Sequence, residues 1–249
     1  MVNTIKKLIY NNLGEAQYLK TLHRLFFLAY RSGYLKKDPV YKYHYFVKQL
    51  IRPDDVIVDM GGNLGYFTKI FAHLAPKGRV VAIEPVVPFF KTLQWATRGL
   101  KNVTLHNYAL GTEEKSIQMS VPKNEGYLRT GLANVADDKK SAQDNYLFDV
   151  KMKRASSLLA SLPVINYIKC DIEGFEEYVL PEIKSLLVKH KPILQVETWG
   201  PHKKVIDELM QELGYNKYSL EEGKLVQLPG DGDASGDYVF IHPESSRVV

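Results

Sequence analysis

Carboxylates placed at the ends of apolar segments dominate the chemistry-bearing residues of this chain. The stretch VIVDMGGNLGYFT, residues 56–68, sets Asp59 just before a turn in which Gly61, Gly62 and Gly65 bracket Asn63. A second acid, Glu84, closes the apolar run RVVAIEP. Further along, YIKCDIEGFE gathers Lys169, Asp171, Glu173 and Glu176 around Gly174. PILQVETWG then brings Glu197, with Trp199 and His202 following. A glycine turn after an apolar strand presents backbone amides to a nucleotide. The spacing here is G-G-x-x-G, which departs from the G-x-G-x-x-G that cradles a pyrophosphate.

An acid beside that turn would repel a pyrophosphate by Coulomb's law and suit a cofactor with cationic groups. S-adenosylmethionine carries a sulfonium and an ammonium, and Glu84 stands where a carboxylate accepts hydrogen bonds from ribose hydroxyls. The same glycines would also serve a plain strand-to-helix turn. Methyl transfer from such a donor is an in-line displacement that depends on positioning and, where the acceptor is a hydroxyl, on removal of its proton. Asp171 and Glu197, at the ends of adjacent strands, allow two ways to handle that proton. One carboxylate acts as base, its pKa raised by the other. Alternatively both hold a divalent cation, magnesium or manganese, that acidifies the hydroxyl. His202 is a rival base. Lys169 and Asp171 share one strand face, with Cys170 on the other. Helix capping is the competing role for Asp171 and Glu173. His73, His106 and His242 show no zinc-like spacing.

The elements that must position these residues alternate strand and helix from residue 53 onward. VIVDMG is a continuous apolar strand of the kind buried on both faces of a parallel sheet. Tyr66 to Leu74 reads as a helix, RVVAIEP as the second strand, Phe89 to Arg98 as a helix and VTLHNYAL as the third strand. The insert, about 111–155, reads as a strand pair, SIQMSV with FDVKMK, around a long loop that holds Tyr127 near an acceptor site. YIKCDIEG is the fourth strand, and Glu177 to His190 a helix with Pro181 in its first turn. PILQVETWG is the fifth, followed by the helix His202 to Leu213, and KYSL and DYVFIHP end the sheet around a turn-rich EEGKLVQLPGDGDASG. Such alternation predicts a parallel α/β sheet with helices on both faces, and ligands at the strands' carboxyl ends.

Residues 1–52 form a helical extension ahead of the domain spanning 53–249. Apolar spacing through Ile5, Leu8, Ile9, Leu19, Leu22, Leu25, Phe26 and Ala29 predicts helix, broken at Gly14 and Gly33, and Tyr41 to Ile51 reads as another helix. The extension carries a net +8 and the remainder −3. A basic head on a slightly acidic body points to an anionic partner, such as a membrane surface or a lipid-linked substrate; a merely solvated helix face is the alternative. No apolar run reaches the ~18 residues of a membrane span. The opening residues lack the pattern of a secretory leader, and the single cysteine suits a reducing compartment. The expectation is a cytoplasmic protein, peripheral to the inner face of a membrane where the head engages it.

VDMGGNLGYFT, VVAIEP, ALG and IKCDIEGFE together resemble the FkbM-type family of S-adenosylmethionine-dependent methyltransferases, over about residues 50–200. The resemblance implies a class I, Rossmann-like methyltransferase sheet of seven strands, the last antiparallel. It also implies O-methylation of a sugar, glycan or natural-product hydroxyl. Carried over by position, Asp59, Gly61, Asn63 and Gly65 would line the methionine part of the cofactor. Glu84 would hold the ribose, and the segment from Asn107 to Ala109 would lie near the adenine. Gly62 stands where the family more often has alanine, and Ser156-Ser157-Leu158 where it often has an acidic L-D-x-L. A nucleic-acid partner is not expected, because Asp171-Ile172-Glu173-Gly174 replaces the Asn/Asp-Pro-Pro-aromatic turn of base methyltransferases and would repel phosphates. Ribose methylation and a non-catalytic cofactor-binding role remain as alternatives.

Overall fold

The apolar periodicity of the extension folds as α1 (Val2–Arg31), interrupted at Gly14, whose φ of 72° and ψ of 166° leave the helical region. The computed structural model describes residues 2–124, 127–136, 145–198, 200, 202–228 and 236–245. Gly33, at φ 77°, ends the run. The side chains of Ile5, Leu8 and Ile9 lie outside the described set. Tyr41 to Ile51 is not one helix. Asp38 accepts the Val40 N–H, Pro39 opens a tight turn, and a short α2 (Lys42–Phe46) passes into another tight turn over Val47–Gln49. The apolar spacing nevertheless buries Tyr43, Phe46, Val47 and Leu50.

The main unit then runs β1 (Val56–Met60), α3 (Tyr66–Leu74), β2 (Arg79–Ile83), α4 (Val87–Thr97), β3 (Val103–His106). An insert follows with β4 (Ala109–Gly111), β5 (Lys115–Asn124), β6 (Tyr127–Leu128), β7 (Asn134–Val135) and β8 (Asn145–Arg154). The chain returns through α5 (Ala155–Leu159), β9 (Tyr167–Cys170), α6 (Glu176–Glu182), α7 (Lys184–His190) and β10 (Ile193–Thr198). It finishes with α8 (His202–Glu212), β11 (Asn216–Glu221), β12 (Lys224–Gln227) and β13 (Gly236–Ile241).

The main sheet has the order β12-β11-β13-β10-β9-β1-β2-β3. Without β12 this is the seven-strand class I methyltransferase sheet, and β13 runs antiparallel to both neighbours as expected. The eighth strand lies in the segment read as turns. Glu222 and Gly223 both take positive φ, 48° and 80°, the two-residue hairpin turn whose twist suits paired strands. VTLHNYAL divides between two sheets, because the Asn107 amide donates to the carbonyls of Glu84 and Pro85 and draws the chain out of the β3 ladder. The residues beyond it join the insert, where β5 and β8 pair antiparallel. The helix read as Glu177 to His190 is two. Pro181 falls late in α6, where it lacks an N–H and crowds the preceding turn, and Ile183 leaves helical geometry at ψ 14°.

Alternation along the strands sends side chains to two cores. Val58, Met60, Ile168 and Cys170 pack under α5 to α8. Ile57, Val80, Tyr167 and Ile193 pack under α3 and the extension, with Phe26, Phe27, Tyr43 and Phe46 in the same cluster. Each large side chain so buried contributes about 1.5–3 kcal/mol, so the extension is bound into the core of the domain. Among the described residues no helix is long and apolar enough to cross a membrane.

Candidate functional site

Strand order reverses between β1 and β9, and their carboxyl ends open onto a cleft of about 690 Å³, the place where open α/β sheets hold ligands. Gly61 turns the chain out of β1 with φ 81°, and a Cβ there would lie 1.8 Å from the Asp171 carbonyl oxygen. Only glycine lets the two strand ends approach so closely. The amides of Gly61 and Gly62 both donate to the Ile83 carbonyl, at 3.0 and 2.9 Å, which ties the turn to β2. Asn63 follows in the left-handed region, φ 47°. Its N–H donates to Glu84 Oε2 at 2.8 Å, and its own Oδ1 is buried with no partner. The Val86 N–H donates to the other Glu84 oxygen at 2.9 Å. Burial pushes the Glu84 carboxyl up to about 7, against the pull of these two amides.

Gly61, Asn63, Glu84 and Ala109 therefore all line the cleft. The other residues expected around the cofactor sit behind it. Gly62 and Gly65 face α4, where a Cβ would come 3.0 and 2.9 Å from Leu93 methyls. Asn107 is committed to the backbone beyond β2, while its neighbour Tyr108 reaches the cleft wall. Asp59 is fully buried in register with Lys169, its Oδ2 accepting from the Thr68 hydroxyl and its Oδ1 without a partner. The acid that borders the cleft beside Gly61 is Asp171, so the charge argument made for Asp59 passes to Asp171, Glu173 and Glu84.

The loop after β9 is shaped by Glu176, a residue the sequence reading gave no role. Buried, it accepts the N–H groups of Ile172 at 2.7 Å and Gly174 at 2.9 Å. Glu173, held between them at φ 57°, lines the cleft. Burial, then the charges of Asp171 and Glu176, push its carboxyl up to about 8. Left-handed geometry at Asn63 and Glu173 costs of order 1 kcal/mol each, strain that characteristically gathers at functional sites. Lys169 lies behind, with Nζ 2.8 Å from Asp171 Oδ2. Burial alone would raise Asp171, but the Lys169 charge outweighs it and holds the carboxyl below its ordinary range. Glu197 hydrogen-bonds Asp171 and is pushed up by burial and by that charge.

Asp171 is thus shared between Lys169 and Glu197. Among the described residues no group of three or more His, Cys, Asp or Glu side chains is arranged to hold a metal ion. His202, the rival base, has Nδ1 2.5 Å from Glu177 Oε1; like Lys169 and Glu197 it does not line the cleft. Trp199 lies outside the described residues, as does the side chain of Tyr127. Where the acidic L-D-x-L is absent, the Ser156 N–H donates to Glu182 at 2.8 Å, so an acid from α6 serves the start of α5.

The extension contributes a residue, His44, that its reading as a plain helix over Tyr41 to Ile51 did not single out. His44 stacks on Phe67 at 4.0 Å, and Phe67 in turn lies 5.1 Å below Lys169 Nζ. Its Nδ1 is buried without a partner. Burial, then repulsion from Lys169, lowers its pKa to about 3, so the ring is neutral. The far wall of the cleft is apolar and comes largely from the insert, through Met119, Val135 and Met152.

Comparison with known proteins agrees with the geometry. The chain is 30% identical over 145 residues to Methyltransferase 1 of Beauveria bassiana, covering 51% of this chain and 58% of that protein. It is 32% identical over 89 residues to the AMB antimetabolite synthetase AmbE of Pseudomonas aeruginosa, covering 35% of this chain and 4% of that protein. The chain thus spans little more than half of one curated relative and a small part of the other. A solved FkbM methyltransferase from Methylobacillus flagellatus aligns over 93% of this chain and 59% of its own, at 17% identity and a TM-score of 0.48, too loose a likeness to argue from. The decisive match is to the family model of the methyltransferase FkbM domain, over residues 59–218. These residues run from the acid beneath the glycine turn to β11, and on that match the chain belongs to the FkbM family of S-adenosylmethionine-dependent methyltransferases.

Proposed function

We propose that this chain methylates a hydroxyl of a sugar, glycan or similar natural-product acceptor, with S-adenosylmethionine as donor. The observation that carries the reading is a cleft at the β1/β9 reversal, with carboxylates on one side and an apolar wall on the other. When bound, the donor supplies a methyl group made electrophilic by its sulfonium. Gly61 and Asn63, with its unpartnered oxygen, would hold the amino-acid end. Glu84 would take the ribose hydroxyls, since an ionised carboxylate keeps lone pairs beyond the two already used. Tyr108 and Ala109 would flank the base.

Glu173 is assigned as the general base. It lines the cleft, and its ionised form, which grows in as pH rises toward about 8, accepts a proton far more readily than Asp171, which Lys169 keeps ionised and Glu197 occupies. Asp171 is the fixed charge at the floor of the cleft, held from behind by Lys169 and Glu197. Acids bordering the cleft suit a neutral hydroxylated acceptor and disfavour a phosphate backbone, which weighs against a nucleic-acid substrate.

The test is calorimetric titration with S-adenosylhomocysteine, followed by labelled-methyl transfer to a panel of sugars. Glu173→Gln should still bind S-adenosylhomocysteine and lose about 10²–10⁴ in turnover. Full turnover in that variant would remove the base assignment. Failure of the unaltered protein to bind S-adenosylhomocysteine would remove the whole reading.

A further inference from the structure

We infer that the N-terminal extension docks on an anionic lipid surface through the outer face of α1 and the turns that follow it. The inner face of α1 is spent on the fold, with Tyr18, Leu19, Phe26 and Phe27 buried. Its outer face is not. Leu25 is 50% exposed and Leu28 69%, and beyond the helix Tyr34 and Val40 are each 73% exposed. Single exposed apolar residues are ordinary. Here four fall within sixteen consecutive residues, interleaved with exposed Arg24, Arg31, Lys36 and Lys37.

Helical spacing places Arg24, Leu25, Leu28 and Arg31 on one side of α1. Across residues 24–40 the only acid is Asp38, giving a net +3, and its Oδ1 accepts the Val40 N–H at 3.0 Å. The positive surface continues onto α4, where Arg24 and Arg98 lie 5.1 and 5.4 Å over the Trp95 ring. Apolar side chains in a field of lysine and arginine are the composition of a helix lying in the headgroup region. There leucine enters the acyl boundary and each cation meets anionic lipid. A strand of nucleic acid would engage the cations and leave Leu25 and Leu28 in water, so lipid accounts for more of the surface.

This inference rests on the outer surface of the extension and stands apart from the methyl-transfer reading. The full chain is sedimented with phosphatidylcholine vesicles, and with the same vesicles containing phosphatidylglycerol. Binding is expected only to the second kind and to fall with added salt. Lys36→Glu/Lys37→Glu should weaken it by about fivefold or more per reversed charge, and Leu28→Asp should weaken it as well. Circular dichroism checks that each variant is folded. Equal binding to both vesicles, no binding to either, or full binding by a folded Leu28→Asp variant would overturn the inference. So would self-association of the chain that Leu28→Asp abolishes while vesicle binding stays absent. A chain that sediments with anionic vesicles but does not bind S-adenosylhomocysteine would keep this inference and lose the catalytic one.

Discussion

Lys169→Met tests whether the floor of the cleft is held by charge. Lys169 is buried, with Nζ 2.8 Å from Asp171 and a side chain 4% exposed against 33% for Asp171. Burial disfavours its charge, yet Asp171 and Asp59 together raise its pKa above the ordinary value. At this distance and an effective dielectric near 20, the attraction is about 6 kcal/mol before desolvation. Removing one partner of a buried pair costs about 3–5 kcal/mol, because the other charge is left uncompensated. Partial exposure of Asp171 lets water share that burden, which sets the expected loss at about 3 kcal/mol near pH 8.

The pH dependence is the sharper part. In the unaltered protein Asp171 titrates below its ordinary value, so its contribution is present above the ordinary carboxylate range and is lost as pH falls through the folded value. Without Lys169, burial pushes the Asp171 carboxyl above its unfolded value, and the variant loses stability as pH rises. The gap between the two proteins should therefore be widest near pH 8 and shrink to about 1 kcal/mol or less near pH 4.5. Urea unfolding followed by tryptophan fluorescence at both pH values measures it. Adding Asp171→Asn to Lys169→Met should restore part of the loss. A gap that is small at pH 8, or equal at the two pH values, would show that the pair is not the cohesive element described.

Gly61→Ala should cost about 3 kcal/mol or more, since alanine pays about 1–2 kcal/mol for left-handed geometry and its Cβ would strike the Asp171 carbonyl at 1.8 Å; Gly62→Ala, facing a movable Leu93 methyl at 3.0 Å, should cost under about 1 kcal/mol. Thermal unfolding of the two variants side by side decides this. For S-adenosylhomocysteine, binding should strengthen as pH rises through about 7, where Glu84 ionises, and then level off; calorimetry across that range would expose the error if affinity were already flat from pH 5.5 upward. His44→Phe keeps the stack on Phe67 while deleting the unpartnered nitrogen. It should leave stability within about 1 kcal/mol and lower turnover at unchanged S-adenosylhomocysteine affinity, which a purely packing role for His44 would not do.

The fold was legible where local pattern and sheet position agree. VIVDMG and RVVAIEP are buried on both faces and contain no competing turn chemistry, and both fall where periodicity puts them. The misreadings share one cause, a side chain or turn that overrides a continuous pattern. Asn107 bonds the backbone beyond β2 and splits an unbroken strand-like run, a tertiary event invisible in the run itself. Pro181 was visible, but its position late in α6 depended on where the helix begins. The Glu222-Gly223 hairpin lacked the usual Asn-Gly or Asp-Gly signal, although glycine two residues past a β-rich segment was a cue.

The site divides along the same line. Gly61, Asn63, Glu84, Asp171 and Glu173 were legible because each lies at a strand end, and strand ends at the reversal of order must converge whatever the loops do. Which acid borders the cleft was not legible. Asp59 and Asp171 both sit on the sheet face that Lys169 occupies, and burial separates them: Asp59 lies one layer down against Lys169 and Thr68, while Asp171, one residue past its strand, reaches the surface. His44 could not be placed at all, because sequence shows the extension's helices but not the sheet face they cover. Its arrival beside Phe67 changes what the extension is for. An appendage that merely bound an anion would need cations outside and could pack anywhere. This one buries Phe26, Phe27, Tyr43 and Phe46 in the core beneath β1, carries a neutral imidazole to the edge of the Lys169–Asp171 pair, and turns Leu28 and Arg31 outward. Its inner face is spent on the core of the domain, so deleting it should destabilise the sheet that carries the cleft, and its outer face is the one proposed above to dock on lipid.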